Sequence, residues 1–320
     1  MPGRNRGTWS SRVSFIGNWS YPLCSLIAMG LTPLISAEWN WRVQLLIPAI
    51  LSLLATALAW RYFPESPRWL ESRGRYQEAE KVMRSIEEGV IRQTGKPLPP
   101  VVIADDGKAP QAVPYSALLT GVLLKRVILG SCVLIAMNVV QYTLINWLPT
   151  IFMTQGINLK DSIVLNTMSM FGAPFGIFIA MLVMDKIPRK TMGVGLLILI
   201  AVLGYIYSLQ TSMLLITLIG FFLITFVYMY VCYASAVYVP EIWPTEAKLR
   251  GSGLADAVGR ISGIAAPYAV AVLLSSYGVT GVFILLGAVS IIVAIAIATI
   301  EIETKGVFVE SLSIDAVVNK

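Results

Sequence analysis

Long stretches with no Asp, Glu, Lys or Arg alternate along the chain with short stretches crowded with them. The uncharged runs are Val13–Ala37, Val43–Trp60, Val127–Leu159, Ser162–Met184, Thr191–Pro240 and Ile261–Ile300. An α-helix needs about 20 apolar residues to cross the hydrocarbon core of a bilayer. Each of the first four runs therefore predicts one crossing. The last two, about twice that length, predict two apiece joined by a tight turn. Continuous apolar runs argue against a barrel, whose strands alternate apolar and polar positions over about ten residues. The pattern predicts an all-α membrane protein, a polytopic helical bundle of eight transmembrane helices.

The charged stretches supply the domain boundaries. Residues 1–63 hold two crossings, 64–126 form a linker, 127–303 hold six crossings, and 304–320 are a tail. Within the linker, Trp69 to Glu88 mixes Arg, Glu and Ala, with Glu78 and Glu80 near Arg75, Lys81 and Arg84. It reads as one or two short surface helices. Gly95 to Ala112, with Pro97, Pro99, Pro100 and Pro110, reads as a loop. Lysines and arginines of connecting loops favour the cytoplasm. With the N-terminus inside, 21 of the 24 fall on that side, leaving Arg42 and Lys160 outside and Arg260 within a helix. Both termini are thus expected in the cytoplasm, and the linker on the cytoplasmic face.

Composition agrees and removes whole classes of function. Apolar residues make up 56% of the chain and charged residues 13%, against about 25% charged in soluble domains. The net charge of +6 sits in membrane-flanking loops, so it speaks for orientation and not for nucleic acid. Cys24, Cys132 and Cys232 all lie in apolar runs and read as small core residues. The chain has no histidine, which removes imidazole bases, His-containing zinc sites and Ser-His triads. No metal, nucleotide or phosphate motif stands out, so neither a cofactor nor ATP driving is expected, and an enzyme is not.

One loop separates the two double runs: Val239-Pro240-Glu241-Ile242-Trp243-Pro244-Thr245-Glu246-Ala247-Lys248-Leu249-Arg250-Gly251. Its E-x-x-P-T-x-x-x-x-R-G lettering resembles the loop between the tenth and eleventh helices of the major facilitator superfamily, in its sugar porter, organic ion and metabolite:proton symporter branches. Pro64-Glu65-Ser66-Pro67-Arg68-Trp69-Leu70 is similar to the segment after that family's sixth helix. Asp185-Lys186-Ile187-Pro188-Arg189-Lys190 resembles the D-R-x-G-R-R loop after the eighth, with Pro188 in place of glycine. Glu303-Thr304-Lys305-Gly306 resembles the family's C-terminal E-T-K-G. Internal repetition points the same way. Arg6-Gly7 precedes Pro22 much as Arg250-Gly251 precedes Pro267, yet four crossings separate Arg250 from the linker and none precede Arg6. On equal repeats, the first four helices of a twelve-helix carrier are expected to be missing, and 1–63 corresponds to the fifth and sixth.

Two groups of residues could carry function. Arg6, Glu65, Arg68, Asp185, Arg189, Glu241 and Arg250 lie at membrane-surface helix ends. They are either solvated charges or, as the resemblance implies, a cytoplasmic gate whose ion pairs part when the carrier opens. Arg260 lies about ten residues into its helix, roughly 15 Å deep at 1.5 Å per residue. A charge at that depth faces a cavity or a partner. Asp256, one turn earlier, offers a structural partner. The resemblance to organic ion carriers, through Gly259-Arg260-Ile261-Ser262-Gly263-Ile264 and Pro267, offers a substrate carboxylate. Asn138, Gln141, Tyr142 and Asn146 share one helix face, with Trp147 beside them in a Trp147-Leu148-Pro149-Thr150 run that resembles metabolite symporters. That face either bonds a neighbouring helix or lines a substrate cavity. Tyr230 and Tyr233 are further candidates, for stacking on a substrate ring. The expected function is secondary transport of a small organic solute across a plasma membrane, the inner membrane in a bacterium. It would be proton-coupled, with an organic anion preferred over a sugar. The alternative is a non-transporting fragment or a nutrient sensor of the same fold.

Overall fold

A computed structural model of the chain describes residues 6–95, 97, 114–244, 247–300 and 302, without the side chains of residues 6, 7, 9, 37, 68 and 72. All regular structure among the described residues is helical. Two compact units are present: residues 1–33 with 110–320, and residues 34–109. The boundary falls inside the 1–63 segment.

In the larger unit the first run forms α1 (Arg6–Asn18) and α2 (Ser20–Leu31). Trp19 joins them at φ −63, ψ −18, so the backbone stays right-handed helical through the joint. Further along come α6 (Tyr115–Leu118), α7 (Gly121–Thr154), α8 (Leu159–Met170), α9 (Gly172–Val183), α10 (Arg189–Ser208) and α11 (Met213–Val231). Phe171 links α8 to α9 as Trp19 links α1 to α2. A π-helical stretch, Cys232–Tyr238, then leads into α12 (Val239–Glu241) and the 52-residue α13 (Lys248–Thr299). The smaller unit holds α3 (Ala37–Tyr62), α4 (Pro67–Ser72) and α5 (Tyr76–Thr94).

Six helical stretches among the described residues are long and apolar enough to cross a membrane, Leu159–Val183 counting as one. The last of them delivers two crossings. At Gly278 the backbone leaves the helix with φ 65, ψ −162. A Cβ placed on Gly281 would lie 3.4 Å from the Leu273 carbonyl, eight residues back, where a straight helix would put about 12 Å between them. The chain therefore doubles back. That φ/ψ region is essentially open to glycine alone, so Gly278→Ala is expected to lower stability by about 1–3 kcal/mol. Thermal unfolding in detergent measures it, and an unchanged midpoint would show that the turn tolerates a side chain.

Small residues let the larger unit pack tightly. Gly251, Ala255, Gly259 and Gly263 recur every four residues on α13 and so share one face. Against that face lies α7: the Cβ of Ala255 is 3.3 Å from where one on Gly130 would be, and Gly259 and Gly263 abut Leu134, Asn138 and Tyr142. Beyond the turn, Phe283 of α13 packs over Gly204 of α10. Gly172 and Gly176 of α9 press on the backbone of α11 at Phe221 and Thr225. In the smaller unit α4 and α5 pack through the buried Leu70 and Ala79. Helix α3 shows apolar side chains on every side, among them Leu45, Leu53 and Trp60, as a lipid- or protein-covered span does.

Candidate functional site

At one end of the larger unit a buried ionic cluster gathers four elements. Arg189, the first residue of α10, is 3% exposed. Its guanidinium grips Glu241 of α12 in a fork, Nε to Oε2 at 3.0 Å and Nη2 to Oε1 at 3.3 Å. Nη2 also donates to Asp185 Oδ1 at 3.3 Å, and Nη1 to the Met184 carbonyl. Asp185 reaches α1 with its other oxygen. Thr8 donates to Oδ2 from both its backbone N–H, at 2.9 Å, and its hydroxyl, at 2.7 Å. A carboxylate there also meets the positive end of the α1 dipole. Because a bidentate guanidinium is directional, the cluster holds α1, the α9–α10 turn and α12 in one arrangement.

Three of the residues read from sequence as a gate thus come together, Asp185, Arg189 and Glu241, and the partner that completes them is Thr8. The Arg250 guanidinium lies 5.2 Å from the Tyr115 ring centroid. Glu65 lies exposed in the smaller unit. The side chains of Arg6 and Arg68, and Glu303-Thr304-Lys305-Gly306 with them, lie outside the described residues. A second buried arginine, Arg126, donates from Nη1 to the Ile242 carbonyl. Its place at the edge of the apolar run was the available signal. Trp243 is fully buried against Gly251 and close to Gly130, which gives the glycine of the Arg250-Gly251 pair a steric reason.

Deeper in the unit the predicted α7 face divides. Asn138 is buried and bonds the Leu134 carbonyl of its own helix at 2.8 Å, against the glycines of α13. Tyr142 packs on Gly263 and accepts from Arg260 Nη1 at 2.7 Å. Arg260 is also within 3.6 Å of Asp256, and its side chain is 57% exposed. Gln141 donates to the Tyr21 hydroxyl of α2 at 3.4 Å, and Tyr21 meets Tyr228 edge to face at 5.0 Å. Asn146 is exposed, and Trp147 is half-buried against the core. Tyr230 and Tyr233 are enclosed within the helices: the Tyr230 hydroxyl donates to the Val133 carbonyl, and the Tyr233 ring stacks on Tyr238 at 5.0 Å.

Between α2 and α7–α8 runs a cleft of about 410 Å³, lined by uncharged groups that include Tyr21, Ser25, Ile145 and Asn166. The Oδ1 of Asn166 is buried with no hydrogen-bond partner among the described residues. An acceptor left so in an apolar span is costly. Asn166 is the lone amide in the Ser162–Met184 run, and that isolation was the signal available. No group of His, Cys, Asp and Glu among the described residues could hold a metal ion.

Comparison with known proteins places this architecture. Residues 2–316 match the family described as "Sugar (and other) transporter". The metabolite transport protein name is carried by two similar proteins of Escherichia coli (strain K12). YdjK is 98% identical over 320 residues, spanning all of this chain and 70% of that one. The inner membrane protein YdjE is 44% identical over 315 residues, spanning 98% of this chain and 69% of that one. Among solved structures, the major facilitator superfamily proton:xylose symporter XylE bound to 6-bromo-6-deoxy-D-glucose matches with a TM-score of 0.65 at 22% identity, over 97% of this chain and 67% of that one. A double-tryptophan variant of XylE gives a TM-score of 0.72 at 19% identity. The all-helical architecture with its apolar spans, the gathered loop charges and these similarities agree: the chain belongs to the sugar (and other) transporter family, a family of membrane carriers with the major facilitator fold, and not to a family of enzymes.

Proposed function

We propose that this chain carries a small organic anion across the membrane by alternating access, with Arg260 taking the substrate's carboxylate. The observation that carries this reading is the state of Arg260. Its guanidinium is aimed by the Tyr142 hydroxyl at 2.7 Å, stands 3.6 Å from Asp256, and keeps 57% of the side chain open. A charge within a spanning helix needs a partner, and a carboxylate would offer Arg260 the bidentate pairing that Asp256 at this distance does not. Gln141, Asn146 and Trp147 lie within two turns of Tyr142 on α7 and would meet the rest of the substrate. The Thr8–Asp185–Arg189–Glu241 cluster acts as the gate at its own end of the unit. The lysine and arginine bias makes that end cytoplasmic. Proton coupling is inferred from the likeness to a proton:xylose symporter.

Uptake of labelled carboxylates and sugars by cells making the protein tests this. Arg260→Ala is expected to lower carboxylate uptake by about 10- to 100-fold, the worth of a hydrogen bond to a charged group. Arg260→Lys should restore part of it. One observation favours a second reading: the 410 Å³ cleft is lined by uncharged donors and acceptors, with Asn166 awaiting a partner. Such a lining suits a neutral polyhydroxylated solute. Sugar uptake that ignores Arg260→Ala but falls with Asn166→Ala would select that reading and reject the anion.

A further inference from the structure

Two arginines are buried around the end of α12, and among the described residues only one of them meets a carboxylate. Arg189 holds Glu241 in its fork. Arg126, 8% exposed, donates to the carbonyl of the next residue, Ile242, and its Nε has no hydrogen-bond partner among the described residues. Nor does any carboxylate there form an ion pair with it. One residue further along, the indole N–H of Trp243 is buried and equally without an acceptor, its ring 3.7 Å from where a Cβ on Gly130 would be. A carbonyl at a helix end takes up one of the five N–H donors of a guanidinium and supplies no counter-charge, and a buried charge without one is costly.

The backbone just before α12 gives a carboxylate a way to reach Arg126. Cys232–Tyr238 is π-helical, closed by i→i+5 bonds in place of the i→i+4 bonds of an α-helix. More residues per turn mean fewer degrees per residue, so tightening this stretch into α-helix would turn the chain beyond it further by about 100°, the angle of one residue. Ile242 keeps right-handed helical backbone at φ −73, ψ −9, so the turn carries through it. Glu241 would then point where Ile242 points now. Ile242 points at α7: its Cδ1 is 3.3 Å from where a Cβ on Gly130 would be, one turn along α7 from Arg126. The rotation that takes Glu241 from Arg189 aims it at the arginine that lacks an acid.

We propose, on the reading of the Thr8–Asp185–Arg189–Glu241 cluster as a gate, that Arg126 is the second partner of Glu241: when the gate opens, the carboxylate leaves Arg189 for Arg126. Parting Glu241 from Arg189 with no second cation to receive it would strand a buried charge and hold the gate shut. With Arg126 in place the carboxylate is paired in both states, which lets the two lie close in free energy, as alternation between them requires. The Trp243 N–H, beside Gly130, is a further donor for it.

To test this, the exposed Val13 of α1 and Thr191 of α10 are changed to cysteine and spin-labelled in protein whose own three cysteines are replaced by alanine. Pulsed electron double resonance in nanodiscs then counts open and shut molecules by the distance between the labels. Arg126→Met should lower the ratio of open to shut by about tenfold or more, the worth of a hydrogen bond to a charged group, and Arg126→Lys should lower it less. In a Glu241→Gln background Arg126→Met should shift the ratio by less than about twofold, because no carboxylate is left to receive. Arg189→Lys, which keeps the charge and loses the fork, should raise the ratio. If Arg189→Lys raises it while the Arg126 variants leave it unchanged, or if Arg126→Met acts equally with and without the Glu241 carboxylate, Arg126 only caps a helix and the exchange is overturned. A misfolded Arg126→Met leaves that decision to Arg126→Lys, with and without Glu241→Gln. If none of the variants moves the ratio, the gate itself is overturned, and the exchange with it.

Discussion

Arg189→Met is expected to destabilise the larger unit by about 3–5 kcal/mol, because it takes from the buried Glu241 carboxylate the guanidinium that forks onto it. Glu241 is 6% exposed and takes two hydrogen bonds from Arg189. Asp185 keeps its two bonds from Thr8 but loses the third partner. The double variant Arg189→Met/Glu241→Gln should fall well short of the sum of its parts, since removing both members of a buried pair leaves no orphaned charge. Thermal unfolding of the two singles and the double in detergent completes the cycle. If the cluster is a gate, Glu241→Gln should also change the rate of transport more than the affinity for substrate, because Arg260 is held by Tyr142 and Asp256 and the pair biases the state that is shut. Additive losses would show that Arg189 and Glu241 do not act as a unit, and an unaltered rate would remove the gate.

Gly176→Ala should disrupt the bundle through backbone and not through charge. A Cβ there would come within 2.1 Å of the Thr225 carbonyl oxygen and 3.0 Å of its carbon. The obstruction is main chain, so no rotamer change relieves it, and α9 and α11 must part along their length. Overpacking typically costs about 1–3 kcal/mol; a rigid backbone contact belongs at or above the upper end. Gly195→Ala is the matched control, a glycine in the middle of a span with open space around it. It should be neutral, or slightly stabilising from helix propensity. Comparing yield and melting temperature of the two variants measures the difference, and equal behaviour would mean that the α9–α11 contact is not tight.

Much of the fold was legible in the sequence because bilayer physics acts on local composition. A helix that crosses hydrocarbon must be apolar along its whole length, so uncharged runs report crossings directly. The turn within the last run was expected without a location; Gly278 supplies it through backbone that only glycine readily adopts. Surface helices in the linker were also legible, although α4 and α5 are cleanly separated by the turn at Arg73–Arg75. Among the gate residues, Asp185, Arg189 and Glu241 were visible as charges at span ends, whereas Thr8 was not. A threonine in a helix's first turn has ordinary local chemistry, and its partner lies 177 residues away.

The candidate substrate face shows the limit more sharply. Four polar residues at helical spacing on α7 must turn from lipid, and local sequence says no more than that. Tertiary structure decided that Asn138 lies against the α13 glycines, that Gln141 reaches Tyr21, and that Tyr142 holds Arg260. It also decided that Tyr230 and Tyr233 are enclosed, with one hydroxyl committed to Val133. By itself, then, the sequence determined which stretches are apolar enough to cross, where its charges stand and which side chains avoid lipid, because each of these follows from the solvent a residue meets. Which avoiding side chain bonds a neighbour and which faces a cleft depended on the distance of close approach between helices remote in sequence, a quantity that only the folded packing of glycines against side chains defines.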